Sequence, residues 1–485
     1  MMKRVISVLL LISMVMTILV SCGDSSSGDG KTGTGANVAN DTTSHDEVTE
    51  IPYIDTLPDI DYGGRTFTVG APATFNLAPE ELTGETINDA AYYQMLNVQD
   101  KFNVKIEVLD IGATQVAASV KAGDNAYQAI NGMIYNFAST FIVPGLVQNL
   151  YNFDRIDFSQ PWWNQNTVKD LTLNGKLYMA YGDFCAERGI TYIHSFFFNK
   201  DLATDYGINP DEIYQLVYDG KWTIDRLEGY IKDISVDVNG DSVMNFSDTF
   251  GLGQSLPCSG VYRSAFDCLI MDKDSDGWPV LNINTEKFNS ILSRVYALCY
   301  ENESVLLGKH EEEERLATIF TQGQLVFYSG FLCDVNTLRG MEYEFGVLPF
   351  PKWDESQSEY YTTSRGDNFF FGIPVSVGID DYEFVGLISE AFAHLGHSLV
   401  RPAVYDETLK GKMTRDEDSI RMLDIVTQGC IIEYAFAHAN DSSYSYVLWY
   451  LLRDKQSSFA SYYEARQKVA TKYYDRMKGI YMEME

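Results

Sequence analysis

The chain has 485 residues, room for about two or three ordinary domains, so a sizeable buried core is available to it. Its 36 Lys and Arg stand against 68 Asp and Glu, a formal charge of −32 with a pI near 4.4. That balance excludes the basic patches that nucleic-acid backbones require, and 45% hydrophobic with 21% charged residues is a globular composition rather than a disordered one.

In chain order, residues 1–21 open with Lys3 and Arg4, continue as an apolar run from Val5 to Val20 and end at Ser21 before Cys22. This is the layout of a secretory signal peptide. Leu19-Val20-Ser21-Cys22 resembles a bacterial lipobox, which implies cleavage before Cys22 and lipidation of its thiol. The mature protein is then expected at the extracellular face of the cell membrane, held there by acyl chains. Residues 22–58 are rich in Ser, Gly, Thr, Asn and Asp and predict a disordered tether.

The body begins with Gly63-Gly64 and an alternating strand from Arg65 to Gly70. A helix over 89–102 and a second strand over 104–109, with Val104, Ile106 and Val108 at period two, follow it. Strand, helix, strand predicts a parallel α/β sheet. Further strands are expected in 126–135, 195–199, 324–328 and 345–348, and the chain from Asp381 on reads as mostly helical, most clearly over 383–392. Six cysteines remain beyond Cys22 (Cys185, Cys258, Cys268, Cys299, Cys333 and Cys430), scattered without framework spacing and expected as buried free thiols.

The sharpest local motif runs from Asp237 to Asp248. Asp237, Asn239, Asp241, Asn245 and Asp248 occupy positions 1, 3, 5, 9 and 12, with the Val243 carbonyl at 7, the oxygen spacing of an EF-hand loop. Ser242 stands where Gly is usual, and Asp248 is shorter than the usual Glu, as in the dockerin variant of the loop. The two readings are a structural calcium site and an Asx-rich turn that binds nothing. The run 272–277 lacks a closing ligand, since position 12 is Ile283, and predicts a hairpin turn. His394 and His397 stand three apart on a helix without an acidic metal partner, and Glu311 to Glu314 read as a solvated helix start. No GxSxG, HExxH, Walker or GxGxxG pattern is present, so no catalytic residue is assigned and an enzyme is not expected.

The order of lipobox, polar tether and α/β body resembles a bacterial extracellular solute-binding lipoprotein of an ABC importer, of the sugar-type group. The likeness rests on Ala122-Gly123-Asp124-Asn125-Ala126-Tyr127, Pro161-Trp162-Trp163-Asn164, Phe198-Asn199-Lys200-Asp201-Leu202 with Gly220-Lys221-Trp222-Thr223, and Phe345-Gly346-Val347-Leu348-Pro349-Phe350-Pro351-Lys352. Gln128 departs from the Asp usual at its position, and Trp222 reads as packing rather than ligand contact. The resemblance implies an α/β, two-lobed periplasmic-binding-protein-like fold of type II with an interlobe cleft and hinge. By segment order, lobe I is 59–180 plus 314–372 and lobe II is 181–313 plus 373–485.

It also implies a monomer that captures a carbohydrate, an oligosaccharide, and delivers it to a membrane permease. The alternatives are a surface carbohydrate hydrolase and a binding protein for a non-sugar solute such as a peptide. Sugar sites need aromatic faces and a few polar groups. The segment match assigns Tyr135, Asn136, Phe137, Tyr328 and Phe331, with Trp162 and Trp163 as a stacking platform at the first lobe crossing. Asp183, Glu187 and Asp367 are the carboxylates expected to grip hydroxyls.

Overall fold

A computed structural model describes residues 53–71, 77–408, 417–439 and 444–484, the side chains of 417 and 419 excepted. The signal peptide, Cys22 and most of the tether lie outside the described residues. The tether's last part does not match the expectation of disorder. Tyr53–Thr56 is a helical turn whose first ring packs on Trp162 at 4.6 Å and His394 at 5.1 Å, and the chain joins the folded body from there. Among the described residues no helix is long and apolar enough to cross a membrane.

Among the described residues twelve strands appear in chain order: β1 (Arg65–Ala71), β2 (Val104–Asp110), β3 (Ala129–Met133), β4 (His194–Asn199), β5 (Ser235–Val236), β6 (Thr249–Ser255), β7 (Met271–Lys273), β8 (Pro279–Leu281), β9 (Val305–Gly308), β10 (Leu325–Phe331), β11 (Phe345–Leu348) and β12 (Phe369–Gly372). They form two principal sheets. The first has the order β12-β3-β1-β2, the second β11-β4-β10-β6-β5 with β9 also on β6, and β7-β8 is a separate hairpin that confirms the turn expected at 272–277. β1 pairs parallel with β2, Arg65 opposite Val104 through Ala71 opposite Asp110, as strand-helix-strand patterning required.

Sheet membership corrects the expected lobe division. β10 and β11 pair with β4 and β6, so 325–348 belongs with the second lobe, and the chain returns to the first only at β12, antiparallel to β3. The reason is register: β10 sits between β4 and β6, with Phe327 opposite both Phe198 and Leu252.

The motifs behind the resemblance are structural joints. Asn199 caps the helix Lys200–Asp205 by accepting from Leu202 N–H at 2.9 Å. Trp222 is fully buried, donates from Nε1 to the Pro349 carbonyl at 2.9 Å, and its backbone carbonyl accepts from Lys352 N–H at 3.0 Å. Gln128, the departure from the pattern, exchanges hydrogen bonds with the Thr68 backbone, N–H to carbonyl at 2.9 Å and Thr68 N–H to side chain at 2.8 Å. The six cysteines are free, four of them buried, as expected.

Candidate functional site

β6, β9 and β10 run parallel, so their carboxyl ends lie together, and the antiparallel β4 begins beside them, His194 opposite Phe331. On the first sheet β3 ends at Met133 beside the start of β12. Open α/β sheets bind ligands beyond strand carboxyl ends, and a cavity of about 240 Å³ lies there, lined from β4 and β10, from the segments after β6 and β9, from 363–367 and from the C-terminal segment.

Its apolar wall is aromatic. Phe331, Phe436, Tyr446 and Trp449 line it; the last three are half-buried and therefore keep ring area free for a ligand. Their rings meet edge to face, Phe436 with Tyr446 at 5.7 Å and Tyr446 with Trp449 at 5.8 Å. A Cβ on Gly366 would stand 3.3 Å from Tyr135 and 3.6 Å from the Tyr446 hydroxyl, so the bare backbone keeps the mouth clear.

The polar groups come in pairs. Arg263 is buried against Glu433 and donates to the Cys268 carbonyl at 2.7 Å, while Glu433 also accepts from Ile270 N–H at 3.0 Å. Arg365 donates to Asp367 at 3.0 Å and lies 4.9 Å over the Phe331 ring. Glu313 accepts from the Ser255 hydroxyl at 2.9 Å, with the exposed His310 ring at 3.4 Å. Burial, with Arg365 nearby, pushes His194 down to about 3, so it stands as a neutral imidazole on the floor.

Of the residues assigned from sequence, Phe331 and Asp367 line this cavity and Tyr135, 47% exposed, stands at its rim. Asn136 follows on the same short helix Ile134–Phe137, half-buried and outside the lining, whereas Phe137 is buried against Phe141 and Phe370. Tyr328 turns the other way, into the core, stacks on Phe197 at 5.9 Å and donates to Asp334. Strand alternation separates it from the cleft-facing Phe331 three positions on.

The tryptophan pair lies away from this cavity and borders a separate one with Tyr181, His397 and Arg401. Trp163 is fully buried between Phe158 and Phe371 and donates to Glu390 at 3.2 Å; Trp162, 4% exposed, is covered by Tyr53 and His394. Neither indole offers a face to the cavity at the strand carboxyl ends. Asp183 is also withdrawn, held by Arg401 at 2.9 Å and by His397 at 2.7 Å; burial opposes its ionisation, but these partners leave the carboxyl below its usual range. Glu187 borders a separate polar cavity with Arg339 and Glu407, its carboxyl raised by burial.

In the 237–248 loop Gly240 and Ser242 both take left-handed backbone, φ 72° and 65°, so Ser242 adopts the turn that Gly usually makes. Asp237 accepts from Gly240 and Ser242 N–H at 2.7 Å each, and Asp248 from Val238 and Asn245 N–H at 3.0 and 2.8 Å. Asn239, Asp241 and Asn245 make similar local bonds. Among the described residues no three His, Cys, Asp or Glu side chains gather as a metal site.

Sequence reasoning missed the C-terminal wall and most of the charged pairs. The run Tyr444 to Tyr450 carries four aromatics, and the spacing of Tyr446 and Trp449 on one helical face was its available signal. Glu313 does open a helix, Glu313–Thr321, but it faces the cleft rather than bulk solvent.

No protein-family model matches the chain, and no curated protein matches its sequence. Solved structures do. The sugar-binding protein MalE from the phytopathogen Xanthomonas citri superposes with a TM-score of 0.57 at 12% identity, over 87% of this chain and 100% of that one. A cyclo/maltodextrin-binding protein complexed with maltotetraose gives 0.53 at 12% identity, over 87% and 98%. UspC of M. tuberculosis gives 0.53 at 11% identity, over 83% and 98%. The chain therefore has the two-lobed α/β fold of these structures, over most of its own length and nearly all of theirs.

Proposed function

We propose that this protein is the substrate-binding component of an ABC importer, capturing a carbohydrate between its two lobes and delivering it to a membrane permease. The observation that carries the reading is the cavity at the strand carboxyl ends, where half-buried Trp449 and Tyr446 face prepaired polar groups. Sugars present C–H faces that stack on such rings and hydroxyls that such groups bind. Two proteins of the same fold support it by what they bind: one is named as sugar-binding and the other is complexed with maltotetraose.

The proposal includes anchoring to the outer face of the membrane through lipid on Cys22, supported by the lipobox-like run before it. It includes a structural calcium ion in the 237–248 loop, supported by ligand spacing and by the left-handed Ser242. The protein carries out no reaction on its ligand.

Calorimetric titration of the chain with a panel of mono- to tetrasaccharides, with product analysis of each mixture, tests the reading. Saturable one-to-one binding without product is the expected result. Turnover of any saccharide would turn the assignment to a hydrolase, and binding of peptides alone would overturn the carbohydrate assignment.

A further inference from the structure

The charge pattern of the cleft says which saccharides fit it, an inference that rests on the carbohydrate reading above. Each guanidinium lining the cavity is already engaged. Arg263 is closed off by Glu433 and the Cys268 carbonyl, both side chains of the pair 5% exposed or less. Arg365 is held by Asp367 and lies between the Phe331 and Tyr192 rings, at 4.9 and 5.1 Å. His194, buried and neutral, contributes no charge: its ring lies tilted against Phe331 at 4.4 Å, and Nδ1 lies 3.7 Å from the Cys258 thiol.

The carboxylates are not balanced in the same way. Glu433 and Asp367 have guanidinium partners, but Glu313 has the Ser255 hydroxyl and, at 3.4 Å, an imidazole that is 67% exposed. Among the described residues no Arg or Lys forms an ion pair with it. The lining thus carries three carboxylates against two guanidiniums; Arg188, from outside the lining, also lies 3.4 Å from Asp367, and Glu313 is the carboxylate with no guanidinium partner. A ligand carboxylate entering here would lose its water, find no unengaged cation and face Glu313 across a small cavity of reduced dielectric. A hydroxyl would instead donate to Glu313 in a charge-assisted hydrogen bond.

We propose that this cleft admits uncharged saccharides and excludes anionic ones such as uronates and sialates, with Glu313 the side chain that sets the discrimination. Electrostatic repulsion of this kind gives specificity rather than raw affinity.

The test is titration with neutral mono- to tetrasaccharides screened alongside their carboxylate-bearing counterparts at pH 7. The neutral member of a pair is expected to bind at least about tenfold more tightly than the acid. Glu313→Gln is expected to shrink that ratio to about threefold or less, and Asp367→Asn, which releases Arg365, to raise acid affinity. A uronate that binds as tightly as its neutral counterpart, or a ratio unmoved by Glu313→Gln, would overturn the proposal while leaving the carbohydrate reading intact. Absence of binding by every saccharide, neutral or acidic, overturns both.

Discussion

Arg263 and Glu433, 170 residues apart in the chain, form a buried ion pair that ties the segment after β6 to the C-terminal wall of the cleft. The Cys268 carbonyl and the Ile270 N–H supply further backbone partners to the pair. Removing one member leaves the other charged and unpaired, which costs about 3–5 kcal/mol. Glu433→Ala is therefore expected to lower the urea midpoint by a corresponding amount and to weaken ligand binding together with it. A loss below about 1 kcal/mol would mean that the pair contributes little to the fold.

Glu390, on the helix Tyr382–Leu395, gives the fold a pH signature. Burial lifts its carboxyl from 4.5 to about 7, although it accepts from Trp163 at 3.2 Å and Tyr53 at 3.1 Å. Between those two values the folded state holds a proton that the unfolded chain has lost. This group therefore makes stability fall as pH rises from 4.5 to about 7 and then level off. Thermal midpoints from pH 4.5 to 8 are expected to decline less steeply in Glu390→Gln than in the parent. Parallel curves for the two proteins would contradict the assignment.

Much of the scaffold was legible in the sequence, and the gaps have physical causes. The alternating 65–70 and 104–109 runs became β1 and β2, and the amphipathic 383–392 run lies in the helix Tyr382–Leu395. β6 was missed because its glycines look like turn punctuation. They are there for close packing: a Cβ on Gly253 would stand 2.3 Å from Leu325 on the neighbouring strand. The cleft was only partly legible, because lining depends on which way a strand end or loop turns. Phe331 and Tyr328 are three residues apart on β10, yet one faces the cavity and the other the core. The tryptophan pair drew attention as a platform, whereas its place beneath Tyr53 and against Phe371 depends on contacts far apart in sequence.

That placement has its own consequence. Trp163 fills core volume and bonds Glu390, so Trp163→Ala is expected to cost about 3–5 kcal/mol of stability. Ligand affinity, measured below the unfolding transition, is expected to stay within about threefold of the parent. An affinity loss far larger than this, at full retention of folded protein, would place the indole back in the binding site.

The 237–248 loop is tested by calcium itself. At a hundred times its dissociation constant a bound ion adds roughly 2.7 kcal/mol, visible as a higher unfolding midpoint in calcium than in chelator. Asp237→Ala is expected to abolish that difference. Equal midpoints with calcium and with chelator would leave the loop as a self-bonded Asx turn.

The most direct measurement is calorimetric titration of the parent and of Trp449→Ala with the same neutral saccharide. Trp449 lines the cavity half-buried, beside Tyr446 at 5.8 Å, and its loss removes the largest ring surface there. Saturable binding in the parent and at least about tenfold weaker binding in the variant, with both proteins folded, is the expected outcome. Equal affinity in the two proteins, or no saturable heat from any saccharide, would contradict capture of a carbohydrate in this cleft.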